Sequence, residues 1–299
     1  MLLLPQREAH RVRHLFGAEH LALVIDAVIA GNSPARVWAD DLVTPRTALA
    51  WDGAHCVYLA GAPGHETACR ELFEREIATA GRGIFKLHAT GAAASAVFTR
   101  HSLHPRERVL YRGERPAVTG WQQRMPAGYQ ISAIGDQFPG LRTLGNFAAV
   151  TAEIRSCWNS MADFRRAGFG FCAHDAATIV CWCTAEYVSD GQCGIGIETV
   201  AAHRGRGFAT LTASAFAEHC ADRGIVPHWD AWSDNLPSVA VAEKLGFRKI
   251  ETYTVFAGSF GEAGPGTTRG LQLNNAASDA RLARTTKPSP EQQTGQGSA

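Results

Sequence analysis

The sequence predicts an α/β protein built on a mixed sheet, and three observations point there. Short apolar runs of strand length alternate with amphipathic stretches of helix length along most of the chain. One apolar run, with Ile195, Ile197 and Val200, leads through a glycine-paired turn, Arg204-Gly205-Arg206-Gly207, into an alanine-rich helix from about Phe208 to Ala221. Asp52-Gly53 between two β-rich runs signals a hairpin, so antiparallel pairing accompanies the strand–turn–helix unit. With 299 residues and 45% hydrophobic content, the chain can fill one large or two ordinary domains.

Taken in order, residues 6–31 carry Val12, Leu15, Phe16, then Leu21, Leu23, Val24, Ala27 and Val28 at helical spacing. This predicts two helices, the second ended by Gly31-Asn32-Ser33-Pro34. Residues 35–39 read as a strand, and 47–51 with 56–60 as the hairpin. A helix over 65–80 has Cys69, Leu72, Phe73 and Ile77 on one face. Strand 85–89, helix 92–101 and strand 108–111 complete the first part, and the Gly- and Pro-rich stretch 113–128 reads as a connection. A second sheet opens at 129–134, followed by helices over 147–158 and 161–167, the latter stopped by Gly168. Strands 169–173 and 178–183 pair around His174-Asp175; Tyr187-Val188 pairs with 195–200 around Ser189-Asp190-Gly191. Residues 225–232 form a strand in which Pro227 argues for an edge or splayed position. Asp234 or Asn235 caps a helix through Leu245, Gly246 ends it, and 247–256 is the last strand. From about Asn275 the chain is too polar to fold alone. The units are therefore 1–120, 121–274 and a disordered tail, 275–299.

Composition narrows the function. A formal charge of +1 gives no basic field for nucleic acid. No apolar run approaches the ~18–20 residues that span a membrane, and Met1-Leu-Leu-Leu-Pro5 is too short for a signal peptide. The eight cysteines include no Cys-x-x-Cys pair. Cys181-x-Cys183 would place two thiols on one face of a strand, but no second ligand pair has suitable spacing. Buried, reduced thiols in a cytoplasmic protein without a metal are the expectation.

The chemistry lies at the glycine-paired turn. A strand that feeds such a turn and a helix start presents unpaired backbone N–H groups and the positive end of the helix dipole, which together make an anion site. Gly205 and Gly207 allow close approach of a phosphate, and Arg204 and Arg206 add charge. The turn lacks the Lys-Ser/Thr ending of a P-loop. It also lacks the third glycine of a dinucleotide fold, since Thr210 stands there.

Arg204-x-x-Gly207-x-Ala209 resembles the pyrophosphate motif of the GNAT acetyltransferases, and Asn235-Leu-Pro-Ser238 followed by Glu243-Lys244-Leu245-Gly246-Phe247 resembles their second motif. The resemblance covers about 129–257, with a fainter likeness over the first half. It implies a GNAT fold there, acetyl-CoA as co-substrate and a primary amine as acceptor. The strands at 195–200 and 225–232 would splay apart to admit pantetheine. Backbone groups near Thr199, Val200 and Ala201 would bind its amides. The N–H groups of Gly205, Arg206, Gly207, Phe208, Ala209 and Thr210, with Arg204, would hold the pyrophosphate, and Asn235 and Ser238 would reach the pantetheine arm. The first half is either a degenerate copy without a phosphate turn, Gly81-Arg82-Gly83 standing after its helix rather than before, or an unrelated α/β cap.

Direct attack by an amine on a thioester needs a proton acceptor and a stabilised leaving group. Glu198, the only charged residue in its apolar strand, is the first choice for base; a partner for an arginine is the competing reading. The tyrosine usual in the second motif is replaced by Ala242, leaving Asp230, Ser233 and Tyr253 as candidates for an acid. Trp182, Trp229 and Trp232, with Asp163, Glu186 and Asp230, are candidates for the acceptor side, against core packing for the tryptophans and helix capping for Asp163. His203, His219 and His228 read as structural or solvated. Phe169-Gly-Phe-Cys172, Ile195-Gly-Ile-Glu-Thr199 and Pro227-His-Trp-Asp230 resemble the GNAT subgroup of the zwittermicin A resistance acetyltransferase, near the kasugamycin-type aminoglycoside 2′-N-acetyltransferases. This implies a small aminosugar or polyamine acceptor and antibiotic inactivation. A protein amine as acceptor, or a non-catalytic acetyl-CoA sensor, are the alternatives. The oligomeric state, a homodimer included, stays open.

Overall fold

The computed structural model describes residues 1–89, 97–98, 101–113, 119–135 and 138–260. Twelve strands join in one sheet: β1 (Leu2–Leu3), β2 (Arg36–Ala39), β3 (Thr47–Trp51), β4 (Cys56–Gly61), β5 (Ile84–Ala89), β6 (His104–Arg112), β7 (Gln130–Ile134), β8 (Gly170–His174), β9 (Ile179–Ser189), β10 (Gln192–Thr199), β11 (Val226–Trp232) and β12 (Arg248–Ser259). The helices are α1 (Glu19–Ile29), α2 (Glu66–Leu72), α3 (Phe138–Leu141), α4 (Phe147–Cys157), α5 (Met161–Ala167), α6 (Phe208–Asp222) and α7 (Leu236–Lys244).

The spatial order is β1-β2-β3-β4-β5-β12-β6-β11-β10-β9-β8-β7. Reversing this list and exchanging each strand for the one six places along the chain returns the same list. Each half has one parallel pair at the same place, β4 with β5 and β10 with β11, and every other pairing is antiparallel. The first half therefore repeats the second in topology, as the degenerate-copy reading expects. The halves also trade strands. β12 fills the slot between β5 and β6, and β6 fills the equivalent slot between β11 and β12.

Alternation along the strands sorts side chains onto two faces. On one face, Leu49, Val57, Leu59, Phe85 and Leu87 pack with Leu72 of α2 and with Phe73, while Val109, Cys183, Trp229 and Ala231 pack with Phe216 of α6 and Ala242 of α7. On the other face, Val37, Ala50 and Tyr58 meet Leu21, Ile25 and Val28 of α1, and Cys172 and Trp182 meet Val150 and Ile154 of α4.

Several expectations change in detail. The first helix is a 3-10 segment, Gln6–Leu15, and the helix beginning at Glu66 passes into π geometry over Phe73–Ala78. Residues 178–183 and 187–188 belong to the single strand β9, which turns into β10 through Asp190 (φ 46) and Gly191 (φ 70), the positive φ pair that a tight hairpin uses. β11 is internal rather than at an edge. Pro227 is tolerated because it lies opposite Gly113, just beyond the end of β6, where its carbonyl still accepts the Gly113 N–H at 2.9 Å. The predicted helix over 92–101 and the tail over 275–299 lie largely or wholly outside the described residues.

Candidate active site

Ladder bonding between β10 and β11 stops at Gly194↔His228, yet both strands run on, to Thr199 and Trp232. A wedge opens between them. Its edges follow from the registers. Val200 N–H donates to Val180 C=O, and Ser233 N–H to Glu107 C=O. In an antiparallel pair every second residue exchanges its bonds with the partner strand, and the others turn them away. The backbone groups of Ile197 and Thr199 on one edge, and of His228, Asp230 and Trp232 on the other, therefore face the wedge. An extended chain of amides fits such a slot as an added strand would.

The glycine-paired turn closes one end of the wedge. Gly205 and Gly207 both have positive φ, 75° and 85°, and a Cβ on either would meet no atom within 4 Å. Gly207 caps α6, whose first backbone bond runs from Leu211 N–H to Gly207 C=O. The N–H groups of Phe208, Ala209 and Thr210 are thus left without intrahelical acceptors, at the positive end of a 15-residue helix. The Arg206 guanidinium lies over the rings of Tyr129 (5.5 Å) and Phe208 (5.3 Å), and Tyr129 also contacts His203. Arg204 donates to Glu198 Oε1 at 3.0 Å and to Thr199 C=O at 3.0 Å. Glu198 thus has an arginine as partner, and its carboxylate braces the turn.

The equivalent place in the first half is plugged. A glycine-paired run, Gly61-Ala-Pro-Gly64, does precede α2, although the sequence reading did not take it as the counterpart of the phosphate turn. There the Glu66 carboxylate accepts the Gly64 N–H at 3.0 Å, and this bond helps hold its carboxyl below the usual range. The β4–β5 pairing continues to Leu59↔Ala89, almost to the end of β4, so no wedge opens.

At the root of the wedge, on the α1 face, lies an open-mouthed pocket of about 90 Å³. Both halves build it. His20 and Leu23 come from α1, Tyr58 from β4, Lys86 and His88 from β5, and Arg108 from β6. Glu186 and Tyr187 of β9, Gly194 of β10, and His228 and Asp230 of β11 complete it. The Arg108 guanidinium donates through Nε to Asp230 Oδ1 at 3.0 Å, and the Tyr253 hydroxyl donates to Asp230 Oδ2 at 2.5 Å. Burial pushes the Tyr253 hydroxyl well above the usual phenol range, so it stays a donor. Burial also moves His88 and His228 down, His228 to about 4, which keeps both rings neutral. The ring of His20 stacks on Tyr253, centroids 3.7 Å apart and planes 8° apart, with its Nδ1 3.0 Å from Glu251 Oε1.

The other predicted residues separate. Trp232 flanks the wedge beneath the guanidinia of Arg106 (4.2 Å) and Arg108 (4.6 Å). Trp229 turns to the opposite face, where its indole N–H donates to Ser238 Oγ at 3.1 Å and its ring packs on Phe247. Trp182 is buried in the core with Trp158 and Phe164. Asn235 caps α7 by accepting the Ser238 N–H at 3.4 Å. Asp163 belongs to the α5 cap, accepting from Ser160 Oγ at 2.6 Å, and it lines no part of the pocket. Tryptophan packing and helix capping are thus realised at Trp229, Trp182 and Asp163. Glu186, half-buried, does line the pocket. All eight cysteines are free thiols, and seven are buried. Asp52, His55 and Cys56, and likewise Glu153, Cys157 and Glu186, bring ligand-type atoms within 4.8 Å of one another, groupings that sequence spacing did not show. Among the described residues no helix is long and apolar enough to cross a membrane.

His20, Lys86, Arg108 and Glu251 escaped the sequence reading. They come from different strands and one helix, 231 residues apart at the extreme pair His20 and Glu251, and no local motif ties them together.

Free amides at a helix start, beside a splayed parallel pair, define the class: the chain carries an acyltransferase fold. The family model of the GNAT acetyltransferases matches residues 13–256, across both halves, and the chain belongs to that family, whose members transfer acetyl from acetyl-CoA to small-molecule or protein amines. A curated relative, the uncharacterized N-acetyltransferase YdfB of Bacillus subtilis (strain 168), is 23% identical over 257 residues, covering 85% of this chain and 97% of the relative. Among solved structures, a GCN5-related N-acetyltransferase-like protein from Streptococcus suis 89/1591 superposes with a TM-score of 0.65 at 19% identity, over 84% of this chain and 98% of that one. A tandem GNAT protein from the clavulanic acid biosynthesis pathway gives 0.53 at 15% identity, over 88% of this chain and 99% of that one.

Proposed function

We propose that this N-acetyltransferase binds acetyl-CoA in the second half alone and acetylates a small amine held between the halves. The observation that carries this reading is the arrest of β10–β11 pairing at Gly194↔His228. In this reading, the pyrophosphate rests on the N–H groups of residues 205–210, with Arg204 and Arg206 beside it. The pantetheine amides bridge Ile197 and Thr199 to the β11 edge. The thioester then reaches the root of the wedge, where Asp230 lies. Unit boundaries near residues 120 and 274 follow, with the first unit serving as a wall of the acceptor pocket rather than as a second catalyst.

A small acceptor is favoured because the pocket is enclosed by α1 and bounded on several sides, whereas a peptide needs an open groove. Glu186 and Asp230 are the carboxylates that would attract a cationic amine. Arg108 and Lys86 share the same walls, which suits an acceptor with few positive charges better than a polycation. The finer proposal, an aminosugar or aminoglycoside-type antibiotic inactivated in the cytoplasm, rests on the resemblance at residues 169–172, 195–199 and 227–230.

Two measurements test the reading. Titration calorimetry should give saturable acetyl-CoA binding at one site per chain; two sites, or none, would reject the assignment to the second half. Release of CoA should then be followed with glucosamine, kanamycin, spermidine, L-lysine, tyramine and a histone-tail peptide. Turnover of the peptide alone would transfer the proposal to a protein amine. Binding without release for every amine would favour a sensor.

A further inference from the structure

We propose that His20, supplied by the non-binding first half, is the base that deprotonates the acceptor amine, with Glu251 as its positioning residue; this rests on the acetyl-transfer reading above. An amine enters at neutral pH as an ammonium ion and must lose a proton before nitrogen can attack. Beside the pocket-lining Glu186, several of the groups that could take it are engaged or buried. Glu198 is engaged by Arg204, and both oxygens of Asp230 are engaged, by Arg108 and Tyr253. His88 and His228 are buried rings that each keep a buried nitrogen without a partner.

His20 differs on every count. Its Nδ1 lies 3.0 Å from a Glu251 oxygen, and an ionised carboxylate only accepts, so Nδ1 carries the proton of the neutral ring. The basic lone pair is then on Nε2, which has no partner among the described residues. The face of the ring is fixed on Tyr253. The side chain keeps 14% exposure, against 29% for Glu251, so the base can exchange its proton with water. One turn along α1, Leu23 stands 3.8 Å from where a Gly194 Cβ would be, which places this stretch of α1 over the root of the wedge. A base oriented by a carboxylate through its second nitrogen is the arrangement that makes histidine an effective proton acceptor.

The step balances without any further reagent. His20 Nε2 removes one proton from the ammonium, and the freed nitrogen pair forms the N–C bond at the thioester carbonyl. Collapse of the tetrahedral intermediate breaks the C–S bond. The CoA thiolate leaves with that electron pair; the second proton, which the nitrogen sheds in becoming an amide, passes through water to the thiolate, and imidazolium returns its proton to water.

The groups that face His20 are Glu251 and Tyr253 of β12, Lys86 and His88 of β5, and Arg108 of β6. Asp230 and His228 of β11, Glu186 and Tyr187 of β9, Cys56 and Tyr58 of β4, and Glu19 beside His20 on α1 line or adjoin the same pocket. Burial pushes His88 and His228 down, so neither of those rings takes up a proton near neutral pH.

The test compares wild type with H20A, H20Q and E251Q in CoA release, using whichever amine of the panel the wild type turns over fastest. We expect H20A and H20Q to lose ~10²–10³-fold in kcat/KM with the acid limb of the pH profile abolished, and acetyl-CoA affinity to change less than twofold. Added imidazole should restore turnover in H20A and leave wild type unchanged. E251Q should lose less and displace the acid limb. Retention of wild-type kcat/KM and acid limb in both His20 variants would overturn the proposal while leaving acetyl transfer standing. A loss that imidazole does not rescue, accompanied by a lowered Tm, would make His20 a structural residue and overturn it equally. Absence of CoA release by wild type with every amine would remove the acetyl-transfer reading and this proposal together.

Discussion

Substituting Gly207 with alanine separates the cost of backbone strain from the cost of blocking a ligand. At φ 85° an L residue sits in the left-handed region, at a cost of about 1–2 kcal/mol. The added methyl meets nothing within 4 Å, so no packing penalty joins that figure. For a chain of this size the strain lowers Tm by roughly 2–4 °C per kcal/mol. On the proposed reading a phosphate sits at this helix start, beside the added methyl. Losing one charge-assisted N–H contact of about 1.5–3 kcal/mol weakens acetyl-CoA by roughly 10- to 100-fold. Gly224 supplies the control, because it has φ 65°, lies beyond the far end of the same helix and would likewise place an added methyl with nothing within 4 Å. G207A and G224A should therefore lose similar stability by differential scanning calorimetry, and only G207A should lose affinity by titration calorimetry. Equal acetyl-CoA dissociation constants in the two variants would refute the phosphate site.

Other expectations follow from burial and from the shared sheet. His228 titrates near 4 in the folded protein against about 6.5 unfolded, so the unfolded state holds more protons between those values; urea unfolding should show stability falling as pH drops through that window, by up to about 1.4 kcal/mol per pH unit for each such group, and H228Q should flatten the slope by as much as one proton. Trp158 is 1% exposed, donates to Ala185 C=O at 2.8 Å and packs edge-on against Phe164; W158A should cost about 3–5 kcal/mol in chemical denaturation, and a cost under 1 kcal/mol would contradict that packing. Residues 121–260 expressed alone lack the β6 strand that separates β11 from β12; they should fail to give a cooperative thermal transition, and co-expression of residues 1–120 should restore one, whereas a cooperatively folding isolated piece would break the strand-exchange account.

What could be read from the sequence was what is local in the chain. The turn at Arg204–Gly207 and the cap at Asn235 rest on neighbours within a few residues, so spacing alone located them. The hairpin at Asp190-Gly191 was likewise visible, although its first strand was divided, because Glu186 interrupts an otherwise apolar run. Ladder partners are another matter. Nothing in residues 104–112 announces that they pair with both β11 and β12, and His104–Glu107 fell outside the expected strand 108–111 because that end of β6 is polar and largely exposed. The face to which each tryptophan turns depends on register, and a one-residue shift reverses it. Trp229 and Trp232 therefore looked equivalent in sequence and separate in the fold. The pocket was illegible for the same reason, since its charged residues meet only after the strands have been ordered.

The exchange of β6 and β12 explains why a first half with no open cofactor wedge remains. Each half needs a strand from the other between its fifth and sixth, so neither closes its own sheet. Loss of the first half would expose both edges of that slot and remove the β6 side of the wedge, where Arg108 fixes Asp230. The same half is free of the constraint of binding a nucleotide, because Glu66 fills its turn and its parallel pair stays zipped. On the proposed reading, the cofactor would lie in the second half and the acceptor between the two halves, which are coupled through the strands they lend each other.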